Sequence, residues 1–324
     1  MREHAPDLRV SFCGIELRNP VLAASGTFGY GVEFEEIVDM RHIGGFVTKG
    51  LSRAPMAGNA APRLIETSAG MMNAVGLQNM GVTAFVEQKL PAARRLHCAL
   101  VTNVFGATID DYCAVIQTLN AAEGIAAYEL NASCPNTQHG GMVFGTDADL
   151  LRELVCAAKA VARRPLIVKL SPNVTSIATM ARAAADAGAD AISAVNTFVG
   201  LSIDASTRRS RLSNFTGGLS GPAIKPLALR MVYEVSRAVS IPVLGMGGIT
   251  SPEDVVEFLL AGATAVQVGT ASYADPRAVE HIARGLSEWC QQHNVSRIAE
   301  LTGALDRTES KSPPPRKSLA PQRW

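Results

Sequence analysis

One of the six cysteines, Cys134, stands where an α/β barrel would place an active-site residue. It follows a mostly apolar run, Ile125–Leu130, which is typical of a buried strand, and polar residues begin at Asn131. Catalytic groups of α/β barrels lie on the loops after the strands, so this loop predicts a residue that moves a proton. The alternatives are a buried structural thiol and, with His139 nearby, a Cys/His hydrolase.

Two lysines stand at or near the ends of apolar segments. Lys49 ends the segment GGFVTK at residues 44–49, and Lys169 lies within LIVKLS at residues 166–171. A lysine at the end of a buried strand is costly unless an anion or a hydrogen-bonding partner meets it. A salt bridge to a barrel glutamate would satisfy either one. Two such lysines on separate strands favour a shared anionic ligand.

Four asparagines lie near predicted strand ends or in a loop on the same face: Asn73, Asn103, Asn131 and Asn196. The asparagine side chain offers both a donor and an acceptor, which suits a ligand with amide edges. Any single asparagine is more often a turn or cap residue. Their repeated position after strands is therefore the evidence for binding.

Glycine-rich segments follow the last two predicted strands. The segment GMGGI spans residues 245–249, and Gly269 and Thr270 follow the next strand. As isolated residues they mark turns, but at this place in a barrel backbone N–H groups commonly bind a phosphate. No GxGxxG follows a strand, and the glycines between Gly26 and Gly31 have the wrong spacing, so a Rossmann-type NAD site is not predicted.

Composition narrows the class of protein. The chain has 324 residues, 47% of them hydrophobic, with a net charge of +1 and six cysteines, none of them in a CxxC pair. These values argue against a nucleic-acid binder, a zinc site and a self-contained iron–sulfur cluster. The N-terminus lacks a signal-peptide core, and no apolar run approaches the roughly 20 residues of a membrane span. The sequence predicts a soluble cytoplasmic protein without a metal of its own.

Short apolar strands alternate with helical patterns along most of the chain, which predicts a (β/α)8 TIM barrel, with a doubly wound open sheet as the alternative. The eight predicted strands are Val21–Ala24, Gly45–Thr48, Ala99–Val104, Ala126–Leu130, Leu166–Leu170, Ala191–Val195, Val243–Gly245 and Ala265–Val268. The predicted helices are Asp110–Ala121, Ala148–Ala162, Ile177–Ala187, Ile224–Ala238 and Pro252–Ala261, the last with Ser251 as its cap.

The remaining segments complete the predicted organisation. Residues 8–20 alternate around Gly14 as a β-hairpin that would plug the bottom of the barrel. Residues 50–81 and 198–221 read as long catalytic-face loops, functional or mobile. Residues 305–324 include three consecutive prolines and several basic residues, which predicts a disordered tail. We therefore divide the chain into a flexible N-terminus (1–7), a catalytic barrel (8–304) and this tail.

Several motifs in combination resemble the class 1B dihydroorotate dehydrogenases, whose catalytic subunit uses FMN. The motifs are NASCPN (131–136), HGGMVFGTD (139–147), NAVGLQN (73–79), TGGLSGP (216–222) and GMGGI (245–249). The resemblance covers residues 8–304. The cysteine resembles class 1, whereas the membrane-associated class 2 enzymes place serine there, and the GG…FGTD segment resembles 1B rather than 1A. Apolar exchanges beside the motifs, at Met72, Val75, Met80 and Ala132, remove no functional group.

The resemblance implies a reaction and a role for each matching residue. Cys134, as a thiolate, would remove the C5 proton of dihydroorotate while the C6 hydrogen leaves as a hydride to the flavin, giving orotate. Lys169 would stabilise charge on the flavin ring. The implied cofactor-binding residues are Ser25, Lys49, Gly50, Asn103, Asn131, Lys169, Val195, Gly221, Gly247, Gly248, Gly269 and Thr270. The implied substrate-binding residues are Lys49, Asn73, Ala74, Val75, Gly76, Leu77, Asn131, Asn196 and Thr197.

The resemblance also implies partners. An FMN enzyme must pass its electrons on, and the family supplies a second subunit that carries FAD and a [2Fe–2S] cluster and delivers electrons to NAD. A homodimer of catalytic chains within a heterotetramer is the family arrangement. Three other functions stay open: a related flavin barrel acting on a dihydropyrimidine base, a non-catalytic FMN-binding relay subunit, and a dihydrouridine-type enzyme, which the neutral charge balance opposes.

Overall fold

Eight parallel strands close into a barrel in the computed structural model, which describes residues 5–132 and 144–306. They follow one another around the barrel in chain order, and the strand at Ala265 pairs with the strand at Val21 to complete the ring. Nearly every residue in these strands is buried, because helices cover the outside and side chains fill the inside. The predicted TIM barrel is confirmed, and the open sheet is wrong.

Two further groups of strands lie outside the barrel: an N-terminal hairpin and the antiparallel strands inserted after barrel strands. Within the described residues the strands are β1 (Val10–Phe12), β2 (Ile15–Leu17), β3 (Val21–Ala23), β4 (Gly45–Val47), β5 (Leu64–Thr67), β6 (Gly70–Asn73), β7 (Ala99–Val104), β8 (Ala127–Asn131), β9 (Leu166–Lys169), β10 (Ala191–Ala194), β11 (Phe198–Gly200), β12 (Ile203–Asp204), β13 (Arg209–Ser210), β14 (Gly217–Ser220), β15 (Val243–Met246) and β16 (Ala265–Val268). The barrel order is β3-β4-β7-β8-β9-β10-β15-β16.

Helices surround the barrel and pack their apolar faces against it. In the described part of the chain they are α1 (Val82–Ala84), α2 (Leu90–Ala93), α3 (Ile109–Asn120), α4 (Ala148–Val161), α5 (Ile177–Asp186), α6 (Lys225–Ala238), α7 (Pro252–Leu260), α8 (Ala271–Ala274) and α9 (Ala278–Gln292), with a π-helical turn at Phe85–Lys89 between the first two. None of the helices in residues 5–132 and 144–306 is long and apolar enough to cross a membrane.

All eight predicted strands and all five predicted helices agree with the structure to within one residue at each end. The long α9 was not predicted, although Val279, Ile282 and Leu286 give it an apolar face. The tail from residue 307 and the first four residues lie outside the described part of the chain.

The N-terminal hairpin of β1 and β2 lies at the amino ends of the barrel strands. Val10, Phe12 and Leu17 are buried in the main core. Burial raises the pKa of the Cys13 thiol at the hairpin turn to about 12, and the nearby Asp190 carboxylate, which precedes β10, adds to this effect. The hairpin therefore covers the end of the barrel opposite the predicted site.

The two long segments predicted as loops are instead partly folded into a sheet of their own. This sheet, called here the loop sheet, contains β5, β6, β11 and β14 in the order β11-β14-β6-β5, all antiparallel. It joins the segment after β4 to the segment after β10. The interpretation of these stretches as plain loops was wrong, because main-chain pairing between two distant segments is not visible in either one alone.

The helix α7 begins at a capping box that fixes the chain after the glycine segment 245–249. Ser251 Oγ accepts a hydrogen bond from Asp254 N at 3.2 Å, and Asp254 Oδ2 accepts one from Ser251 N at 3.0 Å. The predicted cap at Ser251 is confirmed. Each side chain satisfies an N–H group that has no partner within the helix.

We expect Ser251→Ala to lower the free energy of unfolding by about 1 kcal/mol, the usual loss for an N-cap hydroxyl. Ser251→Thr, which keeps a hydroxyl, should stay close to the wild type. Urea unfolding at a constant slope measures both. Equal losses in the two variants would contradict a capping role.

Candidate active site

A buried carboxylate, Glu129, lies inside the barrel. Its Oε1 accepts a hydrogen bond from Asn103 Nδ2 at 2.7 Å, and its Oε2 accepts one from Gln267 Nε2 at 2.5 Å. Gln267 belongs to β16, which stands opposite β8 in the eight-stranded ring, so the second bond crosses the interior. A desolvated carboxylate is tolerated because donors from two other strands meet both of its oxygens.

Lys169, the last residue of β9, is the cation next to this carboxylate. Its Nζ lies 3.8 Å from Glu129 Oε1, and its side chain is only 7% exposed. The distance is that of an ion pair without a hydrogen bond. Within the described residues the ammonium has no hydrogen-bond acceptor, so its N–H groups are available to a ligand. The salt bridge that was the alternative for a buried lysine is thus present here, but only in this loose form.

Lys49 follows β4 and differs from Lys169 in having no acidic partner among the described side chains. Burial lowers the pKa of Lys49, the positive charge of Arg63 lowers it further, and Glu33 acts in the opposite direction. A half-buried cation near a second cation favours a bound anion. This is the arrangement expected for a carboxylate or phosphate ligand.

Buried polar atoms without partners lie beside these charges. Asn103 Oδ1, Gln267 Oε1 and Ser193 Oγ have no hydrogen-bond partner within residues 5–132 and 144–306. A Cβ atom added at Gly50 would lie 2.9 Å from Asn103 Oδ1, so a larger residue there would crowd this oxygen. Unpaired buried acceptors are rare in folded proteins. Their presence here is what a binding site for a polar ligand would show before the ligand is bound.

Glycine loops from three parts of the chain meet at the same end of the barrel. A Cβ at Gly248 would lie 2.9 Å from Gly221 O, and one at Gly221 would lie 3.4 Å from Thr270 Cγ2. Gly221, Gly247 and Gly248 all have positive φ angles, of 95°, 130° and 77°. Gly269 adjoins Ala24, which precedes Ser25. The structure thus brings the predicted phosphate-binding segments together.

The predicted substrate segment, residues 73–77, is held by polar side chains. Asn59 Nδ2 donates to Ala74 O at 2.8 Å, and Asn79 Nδ2 donates to Leu77 O at 2.8 Å. Arg63 donates to Asn59 O at 3.2 Å and to Gln78 Oε1 at 2.6 Å. Leu77 also has a positive φ of 56°. Side chains that flank the segment therefore fix its backbone conformation.

Asn73 and Thr197 both lie against Gly218 of the loop sheet. Asn73 Nδ2 lies 3.4 Å from Gly218 O, and a Cβ at Gly218 would lie 2.0 Å from Thr197 Oγ1, so only glycine fits there. Val195 N donates to Met246 O at 3.2 Å, and Asn196 N donates to Leu170 O at 3.1 Å. The loop sheet therefore connects the substrate segment with the residues that follow β10.

The described candidate residues thus lie around one end of the barrel, where the strands end. Asn131 pairs in register with Lys169, and its backbone oxygen accepts a hydrogen bond from Tyr112 at 2.8 Å. Cys134 lies outside the described residues, as do the residues from Ser133 to Val143. Within the described ranges no group of three or more His, Cys, Asp or Glu residues could hold a metal ion.

Several residues of this site were not found from the sequence. Glu129 and Gln267 lie within short apolar strands, where a polar residue pointing into the barrel is a visible signal. Asn59 and Arg63 give no such signal, because their importance depends on which backbone atoms the loop brings to them. The fold is that of a (β/α)8 barrel protein, and the cations and unpaired acceptors at its strand ends are the features expected of a site for an anionic, amide-bearing ligand.

Comparisons with known proteins identify the family to which this barrel protein belongs. A family profile described as dihydroorotate dehydrogenase matches residues 7–289. A relative from Solibacter usitatus, named a putative dihydroorotate dehydrogenase A (fumarate), is 58% identical over 300 residues, which cover 93% of this chain and 99% of the relative. A relative from Pelobacter propionicus, named dihydroorotate dehydrogenase B (NAD(+)), catalytic subunit, is 53% identical over 301 residues, with the same shares covered.

A relative of the same name from Geobacter sulfurreducens is 52% identical over 301 residues, covering 93% of this chain and 99% of the relative. A crystal structure of dihydroorotate dehydrogenase from Eimeria tenella in complex with ferulenol superposes with a TM-score of 0.78 at 22% identity, covering 94% of this chain and 90% of that one. At that identity the likeness shows the fold. The chain belongs to the dihydroorotate dehydrogenase family, and the resemblance drawn from its motifs is confirmed.

We expect Arg63→Ala to loosen residues 74–79, because it removes the donors to Asn59 O and Gln78 Oε1. Each such bond contributes about 1 kcal/mol, so amide exchange in this segment should accelerate about fivefold or more. Hydrogen–deuterium exchange with mass spectrometry measures this directly.

Arg53→Ala is the matched control, since Arg53 is an exposed arginine of the same loop. Its removal should leave exchange in residues 74–79 unchanged. Acceleration of equal size in both variants would show that charge in the loop matters and that the specific bonds of Arg63 do not.

Proposed function

We propose that this chain oxidises (S)-dihydroorotate to orotate in de novo pyrimidine biosynthesis, with FMN as its bound cofactor. The observation that carries the proposal is that Lys169 and Asn103 adjoin the same carboxylate, Glu129, while the N–H groups of Lys169 and the Oδ1 of Asn103 stay unpaired within the described residues. Membership of the dihydroorotate dehydrogenase family supplies the substrate. A cation and an acceptor held by one carboxylate suit a planar ligand that has both carbonyl and N–H groups.

The residues present fit FMN. The unpaired buried acceptors match the ring N–H, the two lysines match charge on the ring, and the joined glycine loops leave backbone room for the phosphate. When bound, FMN supplies the acceptor for the hydrogen that leaves C6 of the substrate as a hydride. The residues proposed to hold it are Ser25, Lys49, Gly50, Asn103, Asn131, Lys169, Val195, Gly221, Gly247, Gly248, Gly269 and Thr270.

The chain's own residues would then perform the remaining work. Cys134, as a thiolate, takes the C5 proton, and the electron pair of that C–H bond becomes part of the C5=C6 double bond of orotate. Lys49 meets the substrate carboxylate, which agrees with its having no salt bridge within the described residues, where Glu33 acts on it only through its charge. The fixed loop of residues 73–77, together with Asn131, Asn196 and Thr197, holds the ring amides and excludes water.

Mixing the purified full-length chain with dihydroorotate in the absence of oxygen should bleach its flavin spectrum. Cys134→Ser should bleach about a hundredfold more slowly or worse, because a serine hydroxyl ionises far less readily than a thiol and a positioned base contributes at least this much. The measurement is stopped-flow absorbance at the flavin maximum.

Cys98→Ser is the control for this experiment. Burial raises the pKa of Cys98 to about 12, so its thiol stays protonated, and it precedes β7 at the opposite end of the barrel. Its replacement should leave the bleaching rate unchanged. A flavin spectrum that dihydroorotate does not alter would exclude the proposed activity, and a chain that binds no FMN would exclude the cofactor.

We further propose that a partner subunit carrying FAD and a [2Fe–2S] cluster delivers the electrons to NAD. Support comes from the relatives named B (NAD(+)), catalytic subunit, and from the motif HGGMVFGTD in this chain. On the same grounds the barrel of residues 8–304 is proposed as the catalytic domain of a cytoplasmic homodimer within a heterotetramer. The relative named A (fumarate) offers the alternative that fumarate accepts the electrons instead of NAD.

The two acceptors are distinguished by steady-state turnover of the isolated full-length chain. With dihydroorotate and NAD alone we expect no orotate beyond the one equivalent formed when the bound FMN is reduced, and with fumarate we expect no more than that, since electrons must leave through a partner. An artificial one-electron dye should restore turnover. Rapid turnover with fumarate would overturn the partner proposal while leaving dihydroorotate oxidation intact.

A further inference from the structure

We propose that Glu129 is a positioning residue: its carboxylate determines which atoms of Asn103 and Lys169 are offered to the bound cofactor. This inference rests on the FMN site proposed above and extends it to a residue outside the predicted binding set. Glu129 is fully buried, and its described polar neighbours are Asn103, Gln267 and Lys169.

The orientation of the Asn103 amide follows from the chemistry of its partner. An ionised carboxylate can only accept hydrogen bonds, so the NH2 group of Asn103 must face Glu129 and the carbonyl oxygen must face away. That oxygen is the unpaired Oδ1, which lies against Gly50. Without the carboxylate, either end of the amide could point to the ligand. Glu129 thus makes Asn103 an acceptor for the cofactor.

The availability of the Lys169 N–H groups depends on the distance between its Nζ and the Glu129 carboxylate. At 3.8 Å the carboxylate is close enough to balance the charge of the ammonium but too far to take one of its protons as a hydrogen bond. The two oxygens of Glu129 are already occupied at 2.7 and 2.5 Å by the amides of Asn103 and Gln267. A shorter salt bridge would use an N–H group that the ligand needs. The network therefore leaves the N–H groups of Lys169 free for a ligand.

Glu129→Gln tests the role at nearly constant volume. The new side chain carries no charge and has one acceptor oxygen for the donors of Asn103, Gln267 and Lys169. Either the Asn103 amide then loses its hydrogen bond or the Lys169 ammonium loses its counter-charge. We expect the dissociation constant of FMN to rise about tenfold or more, as for a buried polar group that loses its partner. Recovery of free-flavin fluorescence on dilution of the full-length holoprotein measures it, and the absorption maxima of bound FMN should shift as well.

Tyr128→Phe is the matched control on the same strand. It removes a buried hydroxyl that donates to Asn120 Oδ1 at 2.9 Å and accepts from Arg164 Nη1 at 2.5 Å, where the chain enters β9 at the amino end of the barrel. Both variants should lose thermal stability, whereas only Glu129→Gln should lose FMN affinity. Tyr128→Phe should remain within about twofold of the wild type in FMN affinity, since it leaves the cofactor-facing groups unchanged.

Two results would overturn the inference: FMN affinity of Glu129→Gln within about twofold of the wild type, or equal losses in both variants, which would indicate a packing role. A wild-type chain that binds no FMN would overturn the proposed function and this inference together. A wild-type chain that binds FMN and bleaches, with Glu129→Gln binding it equally well, would overturn the inference alone.

Discussion

The arrangement of the site depends on one buried charge. Glu129 and Lys169, 3.8 Å apart, attract one another by about 4 kcal/mol at the effective dielectric of a protein site, whereas burying each ion costs several kcal/mol. The pair alone does not offset that cost, and the amide bonds from Asn103 and Gln267 must contribute the rest. Replacing a buried ion pair by hydrocarbon side chains of similar volume often leaves a protein as stable as before. The charges are therefore better explained by what they present at the barrel end than by stability.

The barrel and the loop sheet position different residues around Glu129 and Lys169. The barrel strands fix Asn103, Asn131 and Lys169 on neighbouring strands, where the register leaves little freedom. The loop sheet fixes the segments after β4 and β10 to one another, with Gly218 placed so that Thr197 can approach the main chain. The barrel strands form one rigid wall of the site and the loop sheet forms the other, and a planar ring can be held between the two. The polar bonds of Asn59 and Arg63 keep the second wall in shape.

The sequence predicted the barrel well because its physical signal is local. Strands buried on both faces are short apolar runs, and helices such as α7 carry their own caps at Ser251 and Asp254. The loop sheet was missed because half of β14 is glycine and β5 is largely exposed, so neither shows the pattern of a buried strand. In contrast, α9 was missed although its apolar spacing was visible.

The candidate site was predictable to the extent that its residues follow strand ends. Lys49, Lys169 and the asparagines were found in this way, and the glycine loops by their place after β15 and β16. Glu129 was not, since a single charge in an apolar run gives no hint of which residues it will meet across the barrel. Its bond to Gln267 joins positions 138 residues apart, and only closure of the ring brings them together.

The two electron acceptors named for the relatives would call on different parts of the molecule. Relatives at 58% and 53% identity carry different acceptors in their names, although each aligns with 93% of this chain. Fumarate is a small dicarboxylate that could enter where orotate leaves, and Lys49 would suit the carboxylate of either. A protein partner needs a docking surface instead. The network around Glu129 would serve both routes equally, so it does not distinguish the two acceptors, and selection of a protein partner would fall to residues on the outer surface.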